Sequence, residues 1–126
     1  MTHVVGTLGY IAPELIHTGK ATPSSDVFSF GILLLEVACG RSPVDPLKDS
    51  DHGMILAEWA WELYTEGRLL EASDPKLAVK GGYDVGEMEK VLKLGLLCSH
   101  PEPESRLGIR HVCQILDGEA PLPDGW

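Results

Sequence analysis

The sequence predicts a mainly α-helical fold. Apolar residues recur at three- and four-residue spacing, and no segment alternates as a half-buried strand does. Proline or short polar capping residues stand ahead of the apolar segments, and glycines stand just past their ends. The 126 residues are 44% hydrophobic and 23% charged, ordinary values for one globular domain with a core.

The elements follow in chain order. Residues 1–12 read as an extended loop, with Gly6 and Gly9 supplying backbone freedom. A short helix is expected over about Pro13 to Thr18, with proline in its first turn and Gly19 past its end. Thr22-Pro23-Ser24-Ser25-Asp26 is a breaker followed by caps, and opens a helix to about Ala38 that Gly40 stops. Val27, Phe28, Phe30, Ile32, Leu33, Leu34, Leu35 and Val37 make it apolar nearly all round. Such a helix is expected to be a central strut with other helices around it. Residues 40–53 read as a polar loop. The next helix is expected over about Met54 to Glu66, with Ile55, Trp59 and Leu63 on one face and Gly67 as terminator. Trp61 either faces outward as a partner site or, as favoured, packs on the segment that follows. Residues 68–83 read as irregular, punctuated by Asp74-Pro75 and Gly81-Gly82. Asp84 to Glu87 has capping-box spacing and opens a helix carrying Val91, Leu92, Leu94, Leu96 and Leu97, closed by Pro101 and Pro103. A last helix is expected from Ile109 to Leu116, ending at Gly118. The domain is thus residues 1–118, and residues 119–126 are expected to be a frayed tail.

Charge and cysteine use exclude several classes. Ten basic and 19 acidic residues give a net charge of −9, which excludes nucleic acid or an anionic membrane surface as partner. Cys39, Cys98 and Cys113 have no disulfide-framework spacing and read as reduced thiols of a cytoplasmic protein. The N-terminus lacks signal-peptide character, and Thr2 stands where myristoylation needs glycine. Apolar runs such as Gly31 to Leu35 are too short to span a bilayer, so no direct membrane insertion is expected. Cys98 with His100, and His111 with Cys113, are ligand-like pairs. His111 and Cys113 lie two apart on a helix and diverge, whereas zinc pairs there lie three or four apart, so no metal site is expected. No Gly-x-Ser-x-Gly elbow is present, and His3, His17 and His52 have no carboxylate constellation.

Three motifs stand in a fixed order: Gly6-Thr7-Leu8-Gly9-Tyr10-Ile11-Ala12-Pro13-Glu14; Ser25-Asp26-Val27-Phe28-Ser29-Phe30-Gly31; and Cys98 to Pro101 followed by Ser105-Arg106. Singly each is weak, and together they are specific. From Gly6 to about Gly118 the chain resembles the C-terminal lobe of a plant receptor-like Ser/Thr protein kinase. Leu35-Glu36-Val37-Ala38-Cys39-Gly40-Arg41 favours the lectin-receptor branch.

The resemblance implies a kinase C-lobe fragment: the end of the activation segment plus the later helices, with the N-lobe and catalytic loop absent. Gly6, Thr7, Leu8, Gly9 and Tyr10 resemble the substrate-docking loop that Ala-Pro-Glu closes. Thr7 favours a Ser/Thr over a tyrosine kinase. Glu14 and Arg106 match the family's buried ion pair, a role suited to a bidentate carboxylate–guanidinium contact. Asp26 matches the helix-start aspartate that accepts from catalytic-loop backbone; without that loop it reads as an ordinary carboxylate at a helix N-terminus. Thr2 falls where the family carries phosphorylatable threonines, although a solvated terminal threonine is the favoured reading. The chain departs from the family at Leu107, usually proline, and at Gly108, where a Ser or Thr cap is expected. That weakens the start of the last helix by roughly 0.5–1 kcal/mol and predicts looser docking.

The family reaction implied is transfer of the ATP γ-phosphate, with Mg²⁺, to protein serine or threonine. It needs a Gly-rich loop, a strand lysine, a catalytic-loop aspartate with asparagine, and a metal-binding Asp-Phe-Gly, all ahead of Ala-Pro-Glu. Leu77-Ala78-Val79-Lys80 and Asp51-His52-Gly53 mimic two of these in the wrong order. No catalytic residue is therefore assigned, no cofactor is expected to bind this fragment, and it is expected to be inactive alone. The alternative is a non-catalytic helical module that binds kinase partners or substrates. A further reading makes Met1 an internal residue of a longer frame. The expected partner is a protein substrate or kinase partner, met through the docking loop and the 54–66 helix. Full-length family members would lie on the cytoplasmic side of the plasma membrane.

Overall fold

Local backbone chemistry sets the helix ends. The computed structural model describes residues 10–41, 44–45, 54–79, 82 and 84–123. Thr2, Gly6, Thr7, Leu8, Gly9, Asp51-His52-Gly53 and Lys80 lie outside the described residues. Helix α1, Pro13–Thr18, has proline in its first turn and ends on Gly19 at φ 72°, whose N–H donates to the Leu15 carbonyl. Helix α2, Pro23–Cys39, opens on a reciprocal cap: the Ser25 N–H donates to Thr22 Oγ1 at 3.1 Å and the Thr22 N–H to Ser25 Oγ at 2.8 Å. Gly40, at φ 67°, closes it.

The chain beyond α2 differs from expectation in two places. Val44–Asp45 (β1) and Met54–Ile55 (β2) form a two-residue antiparallel ladder, Val44 opposite Ile55. Strand pairing takes the backbone of residues 54 and 55, so helix α3 begins later and runs Leu56–Thr65. Its core face is Leu56, Ala60 and Leu63, and Ile55 points outward. The segment 68–83, expected to be irregular, contains a 3-10 turn at Leu69–Ala72 and helix α4 at Pro75–Val79. Leu69 and Ala72 are buried in the core. Asp74 starts α4, since its Oδ1 accepts the Lys76 N–H at 2.9 Å while its own N–H donates to the Ala38 carbonyl. Asp-Pro is a turn signal, but also a cap followed by an N1 proline, and here the second meaning prevails.

Helix α5, Val85–Cys98, is capped by Asp84, whose Oδ1 accepts the Glu87 N–H at 3.0 Å. A 3-10 turn at Pro103–Ser105 leads to helix α6, Ile109–Leu116. Gly108 gives α6 no side-chain cap, yet Val112 and Ile115 are fully buried. The expected loose docking is corrected: burial of that face outweighs a missing cap, at roughly 1.5–3 kcal/mol per large aliphatic side chain. Ala120 and Leu122 pack on the same cluster as Val112 and Ile115, so this part of the expected frayed tail is seated.

Helices α2 and α5 form the spine. They cross at glycines: a Cβ on Gly31 would lie 2.6 Å from the Cys98 Cβ and 2.8 Å from the Gly95 carbonyl oxygen. The expectation that α2 is surrounded fails on one side. Asp26, Leu33 and Val37 are exposed and Phe30 is half-buried, a 26–30–33–37 stripe along one face. Val37 is 69% exposed. Leu33, Val37, Leu77, Met88 and Val91 line an apolar groove of about 400 Å³ beside it. Replacing Leu33 by glutamine and Val37 by glutamate is expected to leave unfolding free energy within about 0.5 kcal/mol per change while lowering hydrophobic-dye binding and light scattering. A loss above about 2 kcal/mol in urea denaturation would show that these residues are packed rather than exposed.

Candidate functional site

Arg106 organises the candidate site. The 3-10 turn before it feeds the side chain inward, where it is fully buried. Its Nη1 donates to Glu14 Oε2 at 2.6 Å and its Nη2 to Glu14 Oε1 at 2.9 Å, a bidentate pair across 92 positions. The remaining donors go to backbone: Nε to the His100 carbonyl at 2.8 Å, Nη1 also to the Ser24 carbonyl at 3.1 Å, and Nη2 also to the Pro101 carbonyl at 3.3 Å. A guanidinium has five N–H groups, and this geometry occupies each direction of the fork. The Phe28 ring lies under the guanidinium carbon at 4.9 Å. Arg106 holds the Glu14 carboxyl below the ordinary glutamate range, chiefly through the hydrogen bonds. One side chain thus ties α1 to the start of α2 and the turn after α5. Phe28, His100 and Pro101 lie within the sequence motifs and Ser24 in the helix-opening segment, but nothing in their spacing shows that they meet Arg106, so reading the chain alone missed these contacts.

Tyr10 provides a second tie. Its hydroxyl donates to Glu36 Oε1, and its carbonyl accepts from Ser29 Oγ at 2.6 Å, both on α2. The Glu36 carboxylate, then partial burial, push the phenol up to about 12. A raised pKa favours the protonated phenol in the folded chain, so this contribution is full below about pH 10 and is lost as pH rises through about 12. Absorbance titration near 295 nm is expected to show one late tyrosine, which Glu36→Gln moves toward the ordinary value near 10. An unchanged profile in that variant would place the cause elsewhere.

Asp26 is exposed on the open stripe of α2, and its carboxylate accepts no hydrogen bond among the described residues. Of the docking-loop candidates only Tyr10 is described. On α3, Trp61 stacks obliquely on Tyr64 at 5.5 Å and meets His100 edge-on at 6.2 Å. It therefore packs toward the end of α5, whereas the sequence favours packing on the 68–83 segment. Trp59 is covered instead by Arg41, 4.4 Å from its ring centre.

No group of three metal-binding side chains occurs among the described residues. Cys98 is buried and Cys113 exposed, and neither belongs to such a group. Burial pushes the Cys39 and Cys98 thiols up to about 12, which leaves them inert. One groove, lined in part by Arg68 and Lys93, offers cations. Arg68 is already paired with Glu66 and Glu71, and Lys93 with Glu89, so a triphosphate would meet three competing carboxylates. No helix among the described residues is long and apolar enough to cross a membrane.

Known proteins place this arrangement. The protein kinase domain family matches residues 1–116. The chain is 52% identical over 123 residues to L-type lectin-domain containing receptor kinase IV.2 of Arabidopsis thaliana, covering 98% of this chain and 18% of the relative. It is also 52% identical over 124 residues to L-type lectin-domain containing receptor kinase SIT1 of Oryza sativa subsp. japonica, again covering 18% of the relative. The chain thus spans less than a fifth of the length of these curated relatives. Among solved structures it superposes on the pseudokinase domain of BIR2, an immune regulator of the RLK/Pelle family, at TM-score 0.71 and 30% identity, covering 88% of this chain and 32% of that one. The chain belongs to the protein kinase family, as a mainly helical part of a plant receptor-like kinase similar to the lectin-receptor branch.

Proposed function

We propose that these residues form the substrate-docking part of a receptor-like Ser/Thr kinase and do not transfer phosphate by themselves. The observation that carries this is the Arg106–Glu14 contact. It fixes the end of the Gly6–Glu14 segment to the helical lobe, so that a docking loop has a rigid base. In this reading Gly6 to Tyr10 receive the protein substrate, Thr7 is the docking-loop threonine that helps position the catalytic aspartate of a complete kinase domain, and α3 offers a second docking face. Asp26 stands where a complete kinase domain has the acceptor for catalytic-loop backbone, and Thr2 where the family carries phosphorylatable threonines. The setting is the cytoplasmic side of the plasma membrane, where the reduced thiols are stable.

Family chemistry uses ATP and Mg²⁺, and phosphoryl transfer depends on positioned metals and phosphate-cradling groups. The described residues supply none that fit. Titration calorimetry of the chain with ATP–Mg²⁺ is expected to give no saturable heat, and the chain alone no phosphate incorporation into a protein substrate. Saturable binding in the micromolar range would overturn this proposal.

A further inference from the structure

A groove of about 350 Å³ runs between α3 and the end of α5, and the Arg106 site does not use it. Its apolar wall is Leu96, Pro101 and the ring of Trp61, which is 38% exposed. The orientation of His100 beside Trp61 is fixed, because its Nδ1 accepts the Glu102 N–H at 3.0 Å and the ring proton sits on Nε2. Two carboxylates, Glu58 and Glu62, stand on the rim one helical turn apart. Both are exposed, and neither has an ion-pair partner among the described residues, whereas Glu66, Glu71, Glu87 and Glu89 on neighbouring surfaces are paired. Like charges at this helical spacing repel, and the chain already carries a net charge of −9.

An aromatic and aliphatic wall under two unpaired carboxylates complements one kind of side chain. A guanidinium can lie on an indole face, extend its apolar stem along leucine and proline, and direct its fork to carboxylates. We infer that this groove docks an arginine-bearing segment of a protein partner. The inference rests on the reading of α3 as a docking face, and it specifies the chemistry of what α3 receives.

The test uses the full 126-residue chain carrying Leu33→Gln and Val37→Glu, exposed changes remote from the groove that limit self-association. The indole N–H of Trp61 is followed by NMR during titration with a Gly/Ser peptide holding two arginines, and with its citrulline twin. The arginine peptide is expected to shift Trp61 saturably, and the citrulline twin and the Glu58→Gln/Glu62→Gln variant to bind at least about tenfold more weakly, the equivalent of about 1.4 kcal/mol. Glu66→Gln, at the C-cap of α3 and off the groove, is expected to bind within about twofold of the parent. Equal Trp61 shifts with the citrulline peptide, or an unchanged affinity in the double variant, would overturn the basic class of partner while leaving α3 a docking face. Shifts at Tyr10 without shifts at Trp61 would overturn the groove and leave the docking loop standing. No response at Trp61 to either peptide would overturn the inference.

Discussion

Arg106→Ala is expected to lower the unfolding free energy by about 3–5 kcal/mol, read from urea denaturation of the full chain. The side chain is fully buried, so its removal leaves more than a lost ion pair. The Glu14 carboxylate loses both strong donors, and the carbonyls of His100, Pro101 and Ser24 lose theirs. The Phe28 face is left over a void. Arg106→Lys keeps the charge but offers one point donor where five directions are used, and is expected to fall nearer the alanine variant than the parent. The pair also fixes an acid limit. A lowered Glu14 pKa means stability present above the ordinary glutamate value, about 4.3, and lost as pH falls through the depressed folded value. A destabilisation by Arg106→Ala under about 1 kcal/mol, the worth of an exposed pair, would contradict the geometry.

Gly31→Ala is expected to be comparably damaging, at about 3 kcal/mol or more, because one methyl group has nowhere to go. Its Cβ would sit 2.6 Å from the Cys98 Cβ, 2.8 Å from the Gly95 carbonyl oxygen and 2.8 Å from the Ser99 nitrogen. Two of these are backbone atoms, one of α5 and one of its C-cap Ser99, so relief requires α2 and α5 to separate along the spine. Gly95→Ala is the internal control. Its nearest neighbours are the Leu35 side-chain carbons at 2.8 Å, with the Gly31 carbonyl oxygen at 3.2 Å. A leucine can shift rotamer where a backbone cannot, so the expected loss is smaller. Equal losses in the two variants, by thermal or urea unfolding, would mean that the helix crossing is looser than described.

The sequence carries its local punctuation openly. Pro13 and Gly19 bound α1, and Gly118 follows α6, because proline geometry and left-handed glycine act within a turn of their own position. The Thr22 and Asp84 caps are legible for the same reason. What depends on neighbours is not legible. Ile55 has helix-compatible spacing, but its backbone is claimed by residue 44, eleven positions earlier. Helix α2 is apolar on nearly every side, and periodicity cannot say which side other elements cover; Leu33 and Val37 prove to be the open ones. Nothing in the spacing of Glu14 and Arg106 links them. The family resemblance suggested the pair, and the fold brings the two together at 2.6 Å. Ser24, Glu36 and Phe28 join the candidate site through α2 register alone, which only a folded chain reveals.

The central claim is that Arg106 and Glu14 act together to seat the docking segment on the helical lobe. A double-mutant cycle of Glu14→Gln and Arg106→Ala, with unfolding free energies measured in urea, tests it most directly. Each single variant alone reports lost packing and stranded carbonyls as well as the pair; the cycle isolates the coupling. The expected coupling energy is about 2–3 kcal/mol. A value below about 0.5 kcal/mol, with the two losses simply adding, would contradict the claim.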